Sequence, residues 1–189
     1  MIKIGILGDI GSGKSYVARN FGYPIFNADY EVAKMYKQNK NIYNKLKKSL
    51  PKYIHSFPIE KKEISNAILS NKNNLKKIIK IVHFEVRKKM KIFLNKNKNK
   101  KIVILDIPLL LENKINSKKD VLIFVESKKS DIQKRLKKRN NFNQKLFNKF
   151  KAIQLPIAYK KKKSQYIIKN NFTKKSVIKA IKDILKKII

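Results

Sequence analysis

Gly8-Asp9-Ile10-Gly11-Ser12-Gly13-Lys14-Ser15 decides how this chain of 189 residues is read. The stretch fits G-x-x-x-x-G-K-[ST] in full. It follows Ile2–Leu7, an apolar run of β type that reads as a buried strand. It precedes Lys14–Phe21, which reads as a helix ended by Gly22-Tyr23-Pro24. Strand, glycine loop and helix in that order make a phosphate-binding loop. Glycines let backbone N–H groups curl around an anion, and the helix N-terminus adds a partial positive charge. Lys14 is expected to bridge the β- and γ-phosphates of ATP and the Ser15 hydroxyl to ligate Mg²⁺. Gly11, Ser12, Gly13 and Tyr16 complete the expected ATP contact.

Working outward, Ile25-Phe26 predicts a short second strand that leads into Asn27-Ala28-Asp29. From Tyr30 to about Leu94 the pattern is helical, with breaks near Pro51 and Pro58. Its longest helix is expected over Leu75–Leu94, with Leu75, Ile78, Ile79, Val82, Val86 and Met90 on one face. Lys96–Lys101 reads as a polar loop. Ile102–Leu105 is a strand ending in Asp106-Ile107-Pro108, and Val121–Val125 is another. Helices follow from about Ser130 to Lys138, and from Gln144 to Ala152 with a continuation toward Lys163, Asn140-Asn141 interrupting between them. Tyr166–Ile168 is a last strand and Lys174–Ile188 a closing amphipathic helix. Alternating strands and helices imply a three-layer α/β fold with a parallel sheet of about five strands. The expected organisation is one domain over 1–189. Its core is 1–29, 101–138 and 164–189, with a helical acceptor-binding insertion over about 30–100 and a basic lid over about 139–163.

Composition narrows the function classes. With no cysteine, disulfides, zinc–thiolate sites and thiol catalysis are excluded. The apolar run at the N-terminus is too short for a signal peptide or a membrane span, so a cytoplasmic protein without a membrane partner is expected. The formal net charge of +36 ordinarily suggests nucleic acid. The basic residues are overwhelmingly lysine, however, with arginine only at 19, 87, 135 and 139. Base readout and stacking favour the planar arginine fork. Lysine here keeps company with Asn and Ile, as in Asn95-Lys-Asn-Lys-Asn-Lys-Lys101. That pairing reads as compositional drift on solvated faces, and no specific nucleic-acid partner is expected.

Phosphate binding alone does not separate a kinase from a GTPase or a motor. The chain is short for added machinery and shows no Asn-Lys-x-Asp guanine signature. A small kinase needs an acceptor pocket, a base beside the acceptor hydroxyl and a mobile basic cover that excludes water. The chain offers candidates for all three.

Gly5–Ser15, Ile25-Phe-Asn-Ala-Asp29 and Ile107-Pro-Leu-Leu-Leu-Glu112, in that order and spacing, resemble the dephospho-CoA kinase family, whose reaction ends coenzyme A synthesis. Weaker matches are His83, Arg135, Arg139, Gln154 and Ile168-Lys-Asn170. The resemblance implies ATP and dephospho-CoA as substrates, with Mg²⁺. It makes Asp29 the carboxylate that orients the ribose 3′-hydroxyl and takes its proton. It places Arg139, with Arg135 second, over the ATP phosphates, adds Asn170 to the ATP site, and puts His83 with Pro108, Leu109 and Leu110 around the acceptor. Asp106 would hold a magnesium-bound water. Each has a plainer alternative: Asp29 as a helix N-cap, the arginines as a solvated face, His83 and the 108–110 segment as packing. The wider alternatives are another small-molecule or nucleotide kinase, or a basic nucleic-acid-binding ATPase. A monomer or small homo-oligomer is expected.

The chain also departs from the family pattern. Asp9 stands where glycine is usual, bringing a carboxylate toward incoming phosphates unless it turns to solvent or a lysine neutralises it. Asn27 replaces the first aspartate of Asp-x-Asp, Tyr16 replaces a threonine, and Phe84 stands where proline is expected. An arginine usual before the glutamine is missing, with Lys149 or Lys151 as stand-ins.

Overall fold

The computed structural model describes residues 1–140 and 142–189. Five strands form one parallel sheet: β1 (Ile2–Gly8), β2 (Ile25–Asn27), β3 (Ile102–Asp106), β4 (Val121–Glu126) and β5 (Tyr166–Lys169). Their order is β2-β3-β1-β4-β5. Ile4 pairs with Ile104 of β3 on one side and with Val121 of β4 on the other. Covered on both faces, the central strands carry nearly continuous apolar runs, broken in β1 by Lys3, instead of an alternating pattern. Every residue of β3 is buried.

The chain divides into two compact units. The sheet unit comprises Met1–Asn27, Leu94–Phe142 and Gln154–Ile189. Its core joins Ile4 and Ile6 of β1, Ile102 and Ile104 of β3, and Ile123 and Val125 of β4 to Val17, Ala18 and Phe21 after the loop. Val177, Ile181 and Ile184 of the closing helix α9 (Lys174–Ile188) complete it. Two further helices, α6 (Lys129–Lys137) and α8 (Ile157–Lys163), belong to this unit, and α8 packs on β1 and β4. The helix after the loop, α1 (Lys14–Arg19), is two residues shorter than its sequence pattern predicts. The Asn20 amide donates to the Tyr16 carbonyl, and the Phe21 N–H turns back to Ala18, ending the helix and dropping Phe21 into the core.

The helical unit comprises Ala28–Phe93 and Asn143–Ile153. It holds α2 (Ala28–Gln38), α3 (Lys40–Ser49), α4 (Lys61–Ser70), most of α5 (Lys72–Lys96) and α7 (Gln144–Ala152). Asn39 caps α3 by accepting from the Ile42 N–H, and Glu60 with Glu63 forms a capping box on α4. Leu75, Ile78, Val82 and Val86 of α5 are buried as the helical period predicts, while Ile79 and Met90 are half-buried. α5 extends to Lys96, and tight turns over Asn97–Lys100 take up the rest of the expected loop. α7 packs on α4. The continuation of α7 toward Lys163 is overturned. The chain breaks at Ile153–Leu155, and Pro156, which has no N–H and excludes helix from the residue before it, starts α8 instead. Of the expected interruption at Asn140-Asn141, Asn141 lies outside the described residues.

Candidate active site

The loop between β1 and α1 is shaped by bonds to its own backbone. The Lys14 ammonium donates to the Gly8 carbonyl at 3.2 Å and to the Asp9 carbonyl at 2.8 Å. The Ser12 N–H donates to the Asp9 carbonyl at 3.2 Å, closing a turn. Gly13 has φ 88°, a conformation that strains any side-chain-bearing residue, and a Cβ there would strike the Asn170 amide. Asp9, the departure from glycine, does not leave its carboxylate idle: Oδ1 accepts from the Ile10 N–H at 2.7 Å. Ile132 and Leu136 of α6 lie 3.0 and 3.2 Å from where a Cβ on Gly11 would stand, so α6 packs against the loop and a side chain there would force these two to shift.

Asp106 ends β3, the strand beside β1, and is 3% exposed. It pairs in register with Asn27 of β2, whose amide donates to Asp106 Oδ2 at 2.6 Å. A carboxylate at 27 would face a carboxylate at that distance. The asparagine supplies a donor in its place, which gives that departure a physical reason.

After β3 the chain turns through Pro108 and Leu109, both half-buried, with Leu109 at φ 58°. Leu110 is buried and packs on β1, since a Cβ on Gly5 would fall 2.7 Å from it. Glu112 then meets Lys160 of α8 in a buried ion pair at 2.7 Å. The same Glu112 oxygen accepts from the Leu155 N–H at 3.0 Å, and Lys160 also donates to Gln154 at 3.0 Å. This network fastens the end of the 108–112 turn to the start of α8.

The other expected residues are placed as follows. Asp29 is the second residue of α2, exposed and in its first turn, where a carboxylate meets the positive helix end. It is therefore a first-turn residue and not an N-cap. Arg135 of α6 lies over the Phe172 ring at 4.2 Å. Arg139 follows the C-cap of α6 with its side chain exposed. Asn170, after β5, is 2% exposed. Its amide donates to the Ser12 carbonyl at 2.9 Å and its oxygen accepts from the Phe172 N–H at 2.9 Å. Ser15 and Tyr16 open α1, both half-buried. His83 is half-buried on α5, in the helical unit.

Sequence reasoning missed Ser127, Lys160 and Phe172. Lys160 was hidden in Lys160–Lys163, a run that reads as solvated, and a lone serine after a strand carries no signal. Among the described residues no three His, Cys, Asp or Glu side chains gather as a metal cluster. A magnesium ion carried on nucleotide phosphates takes few protein ligands, so Ser15 and Asp106 still fit one.

A phosphate loop on a five-stranded parallel sheet of this order, beside a strand that ends in a buried carboxylate, places the chain among the P-loop nucleotide-binding proteins. The CoaE (dephospho-CoA kinase) family model matches residues 2–176. The dephospho-CoA kinase of Wolbachia sp. subsp. Brugia malayi is 34% identical, over 96% of this chain and 95% of its own length. That of Bartonella quintana is 31% identical over 87% of each. TT1252 from Thermus thermophilus shares the fold at a TM-score of 0.76 and 24% identity, over 100% of this chain and 98% of its own. The Campylobacter jejuni dephospho-CoA kinase does so at 0.63 and 20%, over 98% and 96%. The chain belongs to the dephospho-CoA kinase family. Its activity is the ATP-dependent phosphorylation of dephospho-CoA in coenzyme A synthesis.

Proposed function

We propose that the sheet unit holds ATP and that Asp29, at the start of α2, serves the acceptor. Lys14, whose ammonium lies at the Gly8 and Asp9 carbonyls of the loop, serves the β- and γ-phosphates, charged acceptors that hold it more strongly than neutral carbonyls. Gly11, Ser12, Gly13, Ser15 and Tyr16 line the phosphates. Arg135 and Arg139 cover them, and Asn170 secures the loop. Ser15, and Asp106 through a water, would hold Mg²⁺, which would supply charge neutralisation on the phosphates. Asp29 orients the ribose 3′-hydroxyl and accepts its proton as the bond from the γ-phosphorus to the β,γ-bridging oxygen breaks and the new ester forms. Pro108 and Leu109 wall the acceptor, with Leu110 behind them, and His83 contributes from α5. Segment 30–100 serves as the acceptor-binding insertion, and of the expected basic lid over 139–163 the part before α8 serves as the cover, α8 itself being packed on β1 and β4.

The observation that carries this reading is the loop itself, with Lys14 already turned onto its carbonyls and the buried carboxylate of Asp106 ending the neighbouring strand. We place the enzyme in the cytoplasm, as a monomer or small homo-oligomer, with no specific nucleic-acid or membrane partner. Among the described residues no helix is long and apolar enough to cross a membrane. ADP release measured across a panel of hydroxyl acceptors at moderate salt tests the reading. Dephospho-CoA is expected to give the highest rate, and RNA none. A different acceptor giving the highest rate, or RNA-stimulated turnover, contradicts it.

A further inference from the structure

The Ser12 carbonyl receives two side-chain donors from distant parts of the chain. The Ser127 hydroxyl donates to it at 2.9 Å from the residue after β4, and the Asn170 amide at 2.9 Å from the residue after β5. A carbonyl oxygen has two lone pairs, so both are satisfied and the peptide has no freedom to turn for a third partner. Ser12 is fully buried and Asn170 nearly so, which strengthens both bonds by excluding water. Asn170 is itself fixed, its N–H donating to the Glu126 carbonyl at 2.7 Å and its oxygen held by the Phe172 N–H.

In a trans peptide the carbonyl and the following N–H point in opposite directions. Pinning the Ser12 carbonyl toward the ends of β4 and β5 therefore turns the Gly13 N–H away from them. Gly13 is the N-cap of α1, and its N–H belongs to the donors from which a phosphate loop is built. We propose that Ser127, with Asn170, is a positioning residue for ATP: it clamps the Ser12–Gly13 peptide and thereby pre-aims the anion-binding donors of the loop. The clamp is made by the chain's own side chains and needs no nucleotide atom, so the loop loses little freedom on binding, and that saving appears as affinity for phosphate. Nothing in the clamp touches the acceptor.

The inference rests on reading residues 8–15 as the phosphate loop, and the test separates the two. ADP affinity is measured by calorimetry for Ser127→Ala, Ser127→Thr and Lys14→Ala, with KM for ATP and for dephospho-CoA and with thermal melting. Removing one neutral hydrogen bond is expected to weaken ADP about threefold to tenfold in Ser127→Ala. KM for ATP should rise by a similar factor, while KM for dephospho-CoA stays within about twofold, as the absence of acceptor contact requires. Ser127→Thr keeps the hydroxyl and should bind ADP as the native protein does. The clamp is refuted if Ser127→Ala binds ADP like the native enzyme, if both KM values rise together, or if the threonine variant is as weak as the alanine one. If Lys14→Ala loses turnover while Ser127→Ala is unchanged, the clamp alone fails. If Lys14→Ala retains native turnover, the loop assignment fails with it.

Discussion

In the sheet unit, two of the hydrogen bonds that hold the loop join residues 115 and 158 positions apart, from Ser127 and Asn170 to Ser12. In the helical unit most side-chain bonds are local. Asn39 reaches Ile42, Asn71 reaches Asn73, and Glu63 reaches back to Glu60. The first arrangement fixes individual backbone groups to within a hydrogen bond, as charge stabilisation of a transferring phosphoryl requires. The second fixes helix ends and leaves the interior to apolar packing, which tolerates exchange of one aliphatic residue for another. A substitution in the sheet unit should therefore act on chemistry, and one in the helical unit on stability, except at Asp29 of α2, to which the proposed reaction gives a role.

Lys14→Ala gives the largest expected effect. It should fold normally and lose turnover by several orders of magnitude, because charge stabilisation dominates phosphoryl transfer. Near-native turnover in a steady-state assay would break the comparison at its strongest point. Asp29→Asn comes next and tests the exception. Turnover should fall by roughly 10²–10⁴-fold, the usual contribution of a positioned base, with ATP affinity nearly unchanged. A loss of stability with full activity per folded molecule would return Asp29 to the helix, as a charge at its positive end.

Lys160→Met asks whether the sheet unit can fail by folding as well. The variant keeps the length of the chain but leaves the Glu112 carboxylate buried without its cation. Breaking a buried pair from one side costs about 3–5 kcal/mol, read here by denaturant unfolding. A change below about 1 kcal/mol would mean that the pair is solvated when the protein moves.

The smallest effect belongs to Glu63. Partial burial pushes its carboxyl up, but hydrogen bonds from the His55, Ser56 and Glu60 N–H groups and the Ser56 hydroxyl outweigh this and hold it below the ordinary carboxylate range. A lowered carboxyl stabilises the fold above its unfolded pKa, and that contribution is lost as pH falls through the folded value. Native protein should thus lose stability more steeply on acidification than Glu63→Gln does. Parallel acid-unfolding curves would show that the capping box carries no charge-dependent stability.

The same contrast explains what was legible in the sequence. Eight contiguous residues carried the loop, because the backbone geometry that phosphate needs is local and demands glycine. The strands stood out as short apolar runs, since both sheet faces are covered. Helix ends set by local chemistry were harder: α1 stops two residues early at the Asn20 cap, and the break between α7 and α8 depends on Pro156. The Ser127 and Lys160 contacts were illegible because their partners lie far along the chain and their own residue types are common. Asn27 was visible as a departure, but its meaning needed the register that sets it opposite Asp106.

The position of the new phosphate tests the account most directly. With ATP, Mg²⁺ and dephospho-CoA at physiological salt, phosphorus NMR and mass spectrometry of the product should show one phosphate added per ADP released, on the ribose 3′-oxygen. Phosphate on another oxygen, or ADP formed without a phosphorylated acceptor, would contradict the assignment of Asp29 and the loop to this reaction.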